Sequence, residues 1–470
     1  GGGGVANING DAYLNGTQIT GNQVIRGAMG GGGILNAGSS VMRLTAVLVK
    51  ENFSNDQGGG ISNTIGYGEG FTGANPTLTI ENDSRIGWNT ALRGGGIANN
   101  GVLSIEETQI SVNTATKGWG GGIYTQGETS LTLSRVVANR ATSGGGVHND
   151  GQLLIKNSRI THNTVDNHGG GTFNRRGGHL SIQGTTFTGN TAERHGGGIY
   201  NNGEELGESG PGATFEIVNS SFHQNNAFGN GGGLYSGSLN SPQRLTNVTI
   251  TANWDVGVYE YLPAAGNMEI VNSIITENGG TDCIGSPISL GHNLTGDSSC
   301  NLTATGDQAN TNPNLAGLAW NGGPTQTRAL PPGSPAIDAG DNSFCPTRDQ
   351  RGVLRVFRCD VGAYEVETPI TARPDDHSQP QPEGTQEQQG QDSTDNKKDL
   401  EPKGEAKQIP QEKSEEDVIP KSKNESEPDK DDTAGRDKSE TPPSEYQLNP
   451  EEACPIGSVQ GQEFAVKSER

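Results

Sequence analysis

The chain has 470 residues, 74 of them glycine, with 29% hydrophobic residues and a formal net charge of −22 at pH 7. So little apolar material excludes a wide conventional core and suits a thin, regularly stacked one. The acidity excludes nucleic acid or an anionic membrane surface as the main partner, since either needs a basic face, and no run of about 18 apolar residues offers a transmembrane segment. Acidic and basic residues number 26 and 13 after residue 366, and 28 and 19 before it, so both parts are acidic. The chain opens on glycine inside a repeat, which reads as a fragment or processed form.

Residues 1–280 carry the repeat. Three glycines, an aliphatic residue, any residue and usually asparagine recur eight times, with triplets beginning at Gly31, Gly58, Gly94, Gly120, Gly144, Gly169, Gly196 and Gly231. Gly2-Gly3-Gly4-Val5-Ala6-Asn7 adds a further copy, and the spacing runs from 24 to 36 residues. The second half of each repeat alternates with period two and ends in asparagine, as in Leu153-Leu154-Ile155 leading to Ile160-Thr161-His162-Asn163. Alternation over short runs is strand, and a period near 25 residues with three strands and three corners is a coil of a parallel β-helix. The expected fold is all-β, a right-handed solenoid of about ten coils at the ~4.8 Å strand spacing, forming a monomeric rod.

Stacked coils turn equivalent residues into columns. Ile34, Ile61, Ile97, Ile123, Val147, Thr172, Ile199 and Leu234 form an aliphatic column that faces the interior. Two residues on, and so on the same face, stand Asn36, Asn63, Asn99, Thr125, Asn149, Asn174, Asn201 and Ser236, an asparagine ladder that satisfies buried polar groups. The position between must point outward, and there Tyr124, His148, Phe173, Tyr200 and Tyr235 succeed one another, with Trp119, His168 and His195 just before their triplets. A row of rings at coil spacing could stack sugar faces. The preferred reading is the blander one, that the rings stack on one another, given how ordinary cross-strand aromatic pairs are. His168 and His195 fall at equivalent positions, where a stacked or hydrogen-bonded pair outweighs a shared metal.

Three coils are lengthened, near Gly66–Phe71, near Glu204–Glu208 and over Trp254–Gly266. Glu204, Glu205 and Glu208 match no calcium-loop spacing and read as a solvated loop. No metal and no cofactor is expected.

From 281 to 366 the repeat gives way to Pro-Gly turns, and the segment should cap the open end of the helix. Cysteines are confined to the C-terminal part. The spacing of Cys283 to Cys300 and of Cys345 to Cys359 suits two local disulfides in a secreted protein, since no C-x-x-C or matching histidine favours zinc. Cys454 is left over. The segment also contains Asn321-Gly322-Gly323-Pro324-Thr325-Gln326-Thr327, Gly333-Ser334-Pro335-Ala336-Ile337-Asp338-Ala339-Gly340, Asp349-Gln350-Arg351-Gly352 and Cys359-Asp360-Val361-Gly362-Ala363-Tyr364-Glu365. In this order the set resembles the end of bacterial right-handed parallel β-helix proteins of the choice-of-anchor Q type. The triplet repeats, with Phe187 to Asn190 and Phe222 to Asn225, resemble those of polymorphic outer membrane proteins. Together the two resemblances cover residues 1–366 and imply a secreted or surface-displayed bacterial protein. No C-terminal run of alternating strands for a membrane barrel accompanies them.

Residues 367–450 are Glu, Asp, Lys, Gln, Ser and Pro, a disordered acidic spacer, and 451–470 could open a further module. Two functions are weighed. The first is a non-enzymatic, adhesin-like or glycan-binding surface rod that uses the Tyr124–Tyr235 row on a surface polysaccharide. The second is a polysaccharide lyase or glycoside hydrolase, which needs carboxylates or a carboxylate-arginine set on one face. Glu106, Glu107, Arg135, Lys156, Arg159, Arg175 and Arg176 offer a polar face, but no acid/base pair can be assembled from them.

Overall fold

The computed structural model describes residues 2–25, 29–66, 75–202, 212–238, 241–261 and 267–367. Tyr67 to Phe71, Glu204, Glu205, Glu208, the end of the Trp254–Gly266 insertion, the spacer beyond 367, the 451–470 segment and Cys454 lie outside these residues.

Among the described residues there is no helix, and three parallel sheets of eleven strands each stack the chain on itself. The first sheet collects the segments after the glycine triplets, from Val5–Ile8 through Ile199–Asn201 to Cys283–Ile284. The second runs from Asp11–Asn15 to Ile288–Gly291 and the third from Gln18–Thr20 to Leu294–Thr295. A fourth ladder of eight two-residue strands, Gln23–Val24 to Asn226–Ala227, lines the corner before each triplet. Every strand of the three large sheets pairs with its equivalent in the next coil, for example Ile199 with Leu234 and Asn201 with Ser236.

The aliphatic column lies where its period placed it. Ile34, Ile61, Ile97, Ile123, Val147, Ile199 and Leu234 are fully buried in one continuous core with the inward residues of the other two sheets. Each such side chain contributes about 1.5–3 kcal/mol of burial. The triplets let the chain come this close. Gly196 has φ +69°, and a Cβ on Gly197 or Gly198 would press into the carbonyl oxygens of Gly232 or Gly233 in the next coil.

Polar residues make up the rest of the interior. The first-sheet asparagines bond from coil to coil, Asn7 to Asn36 at 2.9 Å, Asn36 to Asn63 at 2.8 Å and Asn174 to Asn201 at 2.7 Å. A second, longer ladder follows the third sheet: Asn22, Asn52, Asn89, Asn113, Asn139, Asn163, Asn190, Asn225, Asn253 and Asn278. In it each Nδ2 and each backbone N–H donates to the Oδ1 of the next asparagine, as Asn139 does to Asn163 at 3.0 Å in both cases. The corner between second and third sheets repeats the device with hydroxyls, Ser134 N–H donating to Ser158 Oγ at 3.1 Å.

The segment after 281 does two jobs rather than one. The Cys283–Cys300 disulfide and Leu302 join the end of the main core. Residues 312–366, by contrast, turn back and lie along the outside of the third sheet. Thr325 Oγ1 donates to Gly184 O at 2.9 Å, Asn219 Nδ2 reaches Arg348 O at 2.6 Å and Asn247 Nδ2 reaches Asp360 O at 3.1 Å. Leu315, Leu330, Ala336 and Val361 pack with Ile274 and Leu294 in a second small core. The expectation of a cap over the open end is therefore corrected for this stretch. It is a strap, because its apolar residues pack on the outward Ile274 and Leu294 of the last two third-sheet strands and its hydrogen bonds run on to earlier coils.

Candidate functional site

Tyr124, His148, Phe173, Tyr200 and Tyr235 alternate with the core residues and lie outside the main core. They are not exposed: their fractional exposures are 3%, 1%, 8%, 5% and 7%. The outward platform is thereby corrected. Each ring lies on the ring of the next coil, with centroids 4.7 Å apart for His148 and Phe173, 5.0 Å for Phe173 and Tyr200, and 4.8 Å for Tyr200 and Tyr235. The half-buried residues before the triplets roof this row, Trp119 over His148 at 5.1 Å, His168 over Tyr200 at 4.5 Å and His195 over Tyr235 at 4.9 Å. A sugar would need the ring faces, and those faces are occupied by neighbouring rings. His168 and His195 stack at 5.2 Å with planes 10° apart, a face-to-face geometry that does not converge on one metal. Among the described residues no group of three or more His, Cys, Asp or Glu comes together to hold a metal.

One carboxylate closes the row. Asp150 accepts from Tyr124 Oη at 3.1 Å, hydrogen-bonds His148 Nε2 at 2.9 Å and lies 3.6 Å from Arg175. Burial holds His148 below its ordinary range, outweighing the hydrogen bond and charge of Asp150. Burial also raises Asp150, but the His148 hydrogen bond, the Arg175 charge and the Tyr124 hydrogen bond leave its carboxyl below the usual range. His148 is thus a neutral imidazole that donates to Asp150, and its Nδ1 is buried without a partner.

The motif residues of the strap are consumed internally. Gln350 Nε2 donates to Thr186 Oγ1 and Thr325 Oγ1 at 2.9 Å, and its Oε1 accepts from Ser221 Oγ at 2.7 Å. Arg351 pairs with Asp349 at 2.9 Å and Arg355 with Glu365 at 2.8 Å, all four side chains at most 3% exposed. The Cys345–Cys359 disulfide ties the same stretch together. Gln350 and Arg355, which also donates to Asn219 Oδ1 at 3.0 Å, hold the strap to the solenoid.

Charge also faces solvent on the third sheet ahead of the strap. Its outward column reads Arg85, Gln109, Arg135, Arg159, each the register partner of the next. Arg135 is exposed and Arg159 half-buried, and neither has a carboxylate partner among the described residues. Burial, then the charge of Arg135, lowers the Arg159 guanidinium to about 10. The two cations therefore repel across one coil step with nothing to neutralise them. Trp320, on the strap, is 55% exposed and stacks on Arg159 with its guanidinium 4.8 Å from the ring centroid. Arg135 and Arg159 were legible in the sequence as residues of a polar face, though not as one column. Trp320 carried no signal, because only the strap brings it to the flank.

The class these features define is a parallel β-solenoid stapled by a C-terminal strap. No protein-family model matches the chain. No curated protein matches it either. Among solved structures it is similar to the crystal structure of pectate lyase Pel9A, with 16% identity, a TM-score of 0.43, and coverage of 71% of this chain and 88% of that one. Nothing about activity follows from a likeness at that level.

Proposed function

We propose that the protein binds acidic glycans along the outer face of its third sheet, as a non-catalytic solenoid secreted by or displayed on a bacterial cell. The observation that carries this reading is the uncompensated pair Arg135 and Arg159 with Trp320 beside them, on a chain that is otherwise acidic. A 1,4-linked sugar advances by about the length of one coil step, so a linear chain can lie along the column with its sugars at the spacing of the arginines. Arginine supplies forked donors to those anions, and the indole supplies an apolar face for a pyranose. Two disulfides suit an oxidising, extracellular setting, and the resemblance of the closing motif to choice-of-anchor proteins points the same way.

Binding to alginate, polygalacturonate, hyaluronan and neutral dextran tests it. Wild type should retain at least one acidic polymer and not dextran, with the affinity falling as salt rises. The Arg135→Ala/Arg159→Ala/Trp320→Ala variant should lose about tenfold or more in affinity. Equal binding by the two proteins would refute the assignment. Turnover is a second reading, favoured by the Asp150–Arg175 pair at 3.6 Å. Unsaturated product from any of these polymers, abolished in Arg175→Ala, would establish it.

A further inference from the structure

The open part of the third sheet stops at Arg159. The next three residues of its outward column, Thr186, Ser221 and Thr249, are 0%, 2% and 3% exposed. Gln326, Gln350 and Ala363 of the strap are bonded to them. A glycan lying along the flank meets the strap at Trp320 and cannot continue on the same face.

A cavity of about 330 Å³ opens at this place, between the strap and the corner that leads into the Arg159 strand. Lys156 and Asn157 line the solenoid side, and Pro324 and Arg348 line the strap side. Lys156 is exposed and has no carboxylate partner among the described residues. The Arg348 guanidinium reaches only a neutral group, donating to Gly352 O at 2.6 Å. Asp349 is the acidic residue of the lining, and it is turned away. Its side chain is 0% exposed, Oδ2 accepts from Arg351 Nε at 2.9 Å, and Oδ1 accepts the backbone N–H groups of Arg351 at 2.8 Å and Val353 at 2.9 Å. With its carboxylate neutralised from behind, the cavity presents two cations and side-chain amides. That lining takes an anion.

We infer that this cavity is the terminal subsite of the flank: the carboxylate of the last sugar of an acidic glycan is held between Lys156 and Arg348, and the protein recognises a chain end rather than a chain interior. The inference rests on the flank reading above, and it adds what that reading leaves open. Binding along Arg135 and Arg159 alone is indifferent to where the polymer ends. Occupation of a walled cavity is not.

The full chain is titrated calorimetrically with a hexauronate in three forms: both ends free, a bulky tag on the reducing end, and the same tag on the non-reducing end. One of the two tags should weaken binding about tenfold or more, while the other leaves it near that of the free hexamer. Lys156→Ala/Arg348→Ala should bind all three forms alike, at the level of the blocked one, and both substituted side chains are exposed, so the fold is retained. If wild type binds the three forms equally while Arg135→Ala/Arg159→Ala weakens all of them, the terminal subsite is overturned and flank binding stands. If Arg135→Ala/Arg159→Ala changes nothing, flank binding itself is overturned.

Discussion

Replacing Asn163 by alanine breaks the longest polar ladder at its middle. Asn163 Oδ1 accepts from Asn139 N at 3.0 Å and Asn139 Nδ2 at 3.0 Å, while its Nδ2 donates to Asn190 Oδ1 at 2.9 Å and Val136 O at 3.0 Å. Alanine takes all four away. The Asn139 N–H is buried and has no other acceptor, so it alone costs about 1–3 kcal/mol, and each of the other bonds about 1 kcal/mol. The Asn190 Oδ1 keeps one donor, the backbone N–H of residue 163, which limits the loss on that side. The expected destabilisation is about 3–5 kcal/mol. Urea unfolding gives the total, and native-state hydrogen exchange at the Asn139 amide gives the local part, which matters because long repeat arrays need not unfold as one unit. Lys156→Ala, in the coil that contains Asn163, is the control and should stay within about 0.5 kcal/mol. A loss below about 1 kcal/mol with the Asn139 amide as protected as in wild type would show that the ladder is an ornament of the corner rather than a support.

Tyr200→Ala should cost about 3 kcal/mol, because the ring is 5% exposed and wedged among Phe173, Tyr235 and His168; thermal unfolding reads the loss, and a fully stable variant that loses glycan binding would restore the platform idea. Acid should destabilise the fold before the carboxylates titrate. Burial brings His168 and His223 down to about 4. Unfolded histidine binds its proton near 6.5, so the unfolded state gains protons first and stability falls as pH drops through about 6.5, the loss levelling off below about 4. After allowance for solvent screening this is about 1–2 kcal/mol per histidine, and urea midpoints at pH 7 and pH 5 that coincide would contradict it. Arg355→Ala should unseat the strap at a cost of about 3–5 kcal/mol, since it strands the Glu365 carboxylate in a buried site; faster exchange at the Ala363 amide, which donates to Thr249 Oγ1, would report it.

How much of this was open to a reader of the sequence depends on range. The Ile and Asn columns of the first sheet were legible because period-two alternation fixes which face a residue takes, and Ile199 and Asn201 lie where that rule puts them. The disulfides were legible because their partners are 17 and 14 residues apart. The same alternation set Tyr200 outward from the core, but outward is not exposed. Whether a ring meets water depends on His168, one coil earlier, and on a corner whose direction no local pattern encodes. The second asparagine ladder was visible only as the repeated end of a polar turn, since its Oδ1 partners are 24 to 37 residues away. Least legible was the flank. Its arginines are spaced like any surface residues, and Trp320 joins Arg159 only through a strap that folds back 161 residues along the chain.

A crystal structure of the full chain with an acidic hexasaccharide would locate the ligand. The sugar chain should lie on the third sheet, with anionic groups within hydrogen-bonding distance of Arg135 and Arg159, one pyranose against Trp320, and the last carboxylate between Lys156 and Arg348. A hexasaccharide bound over the roofed rings from Tyr124 to Tyr235, or on the second sheet, would contradict it.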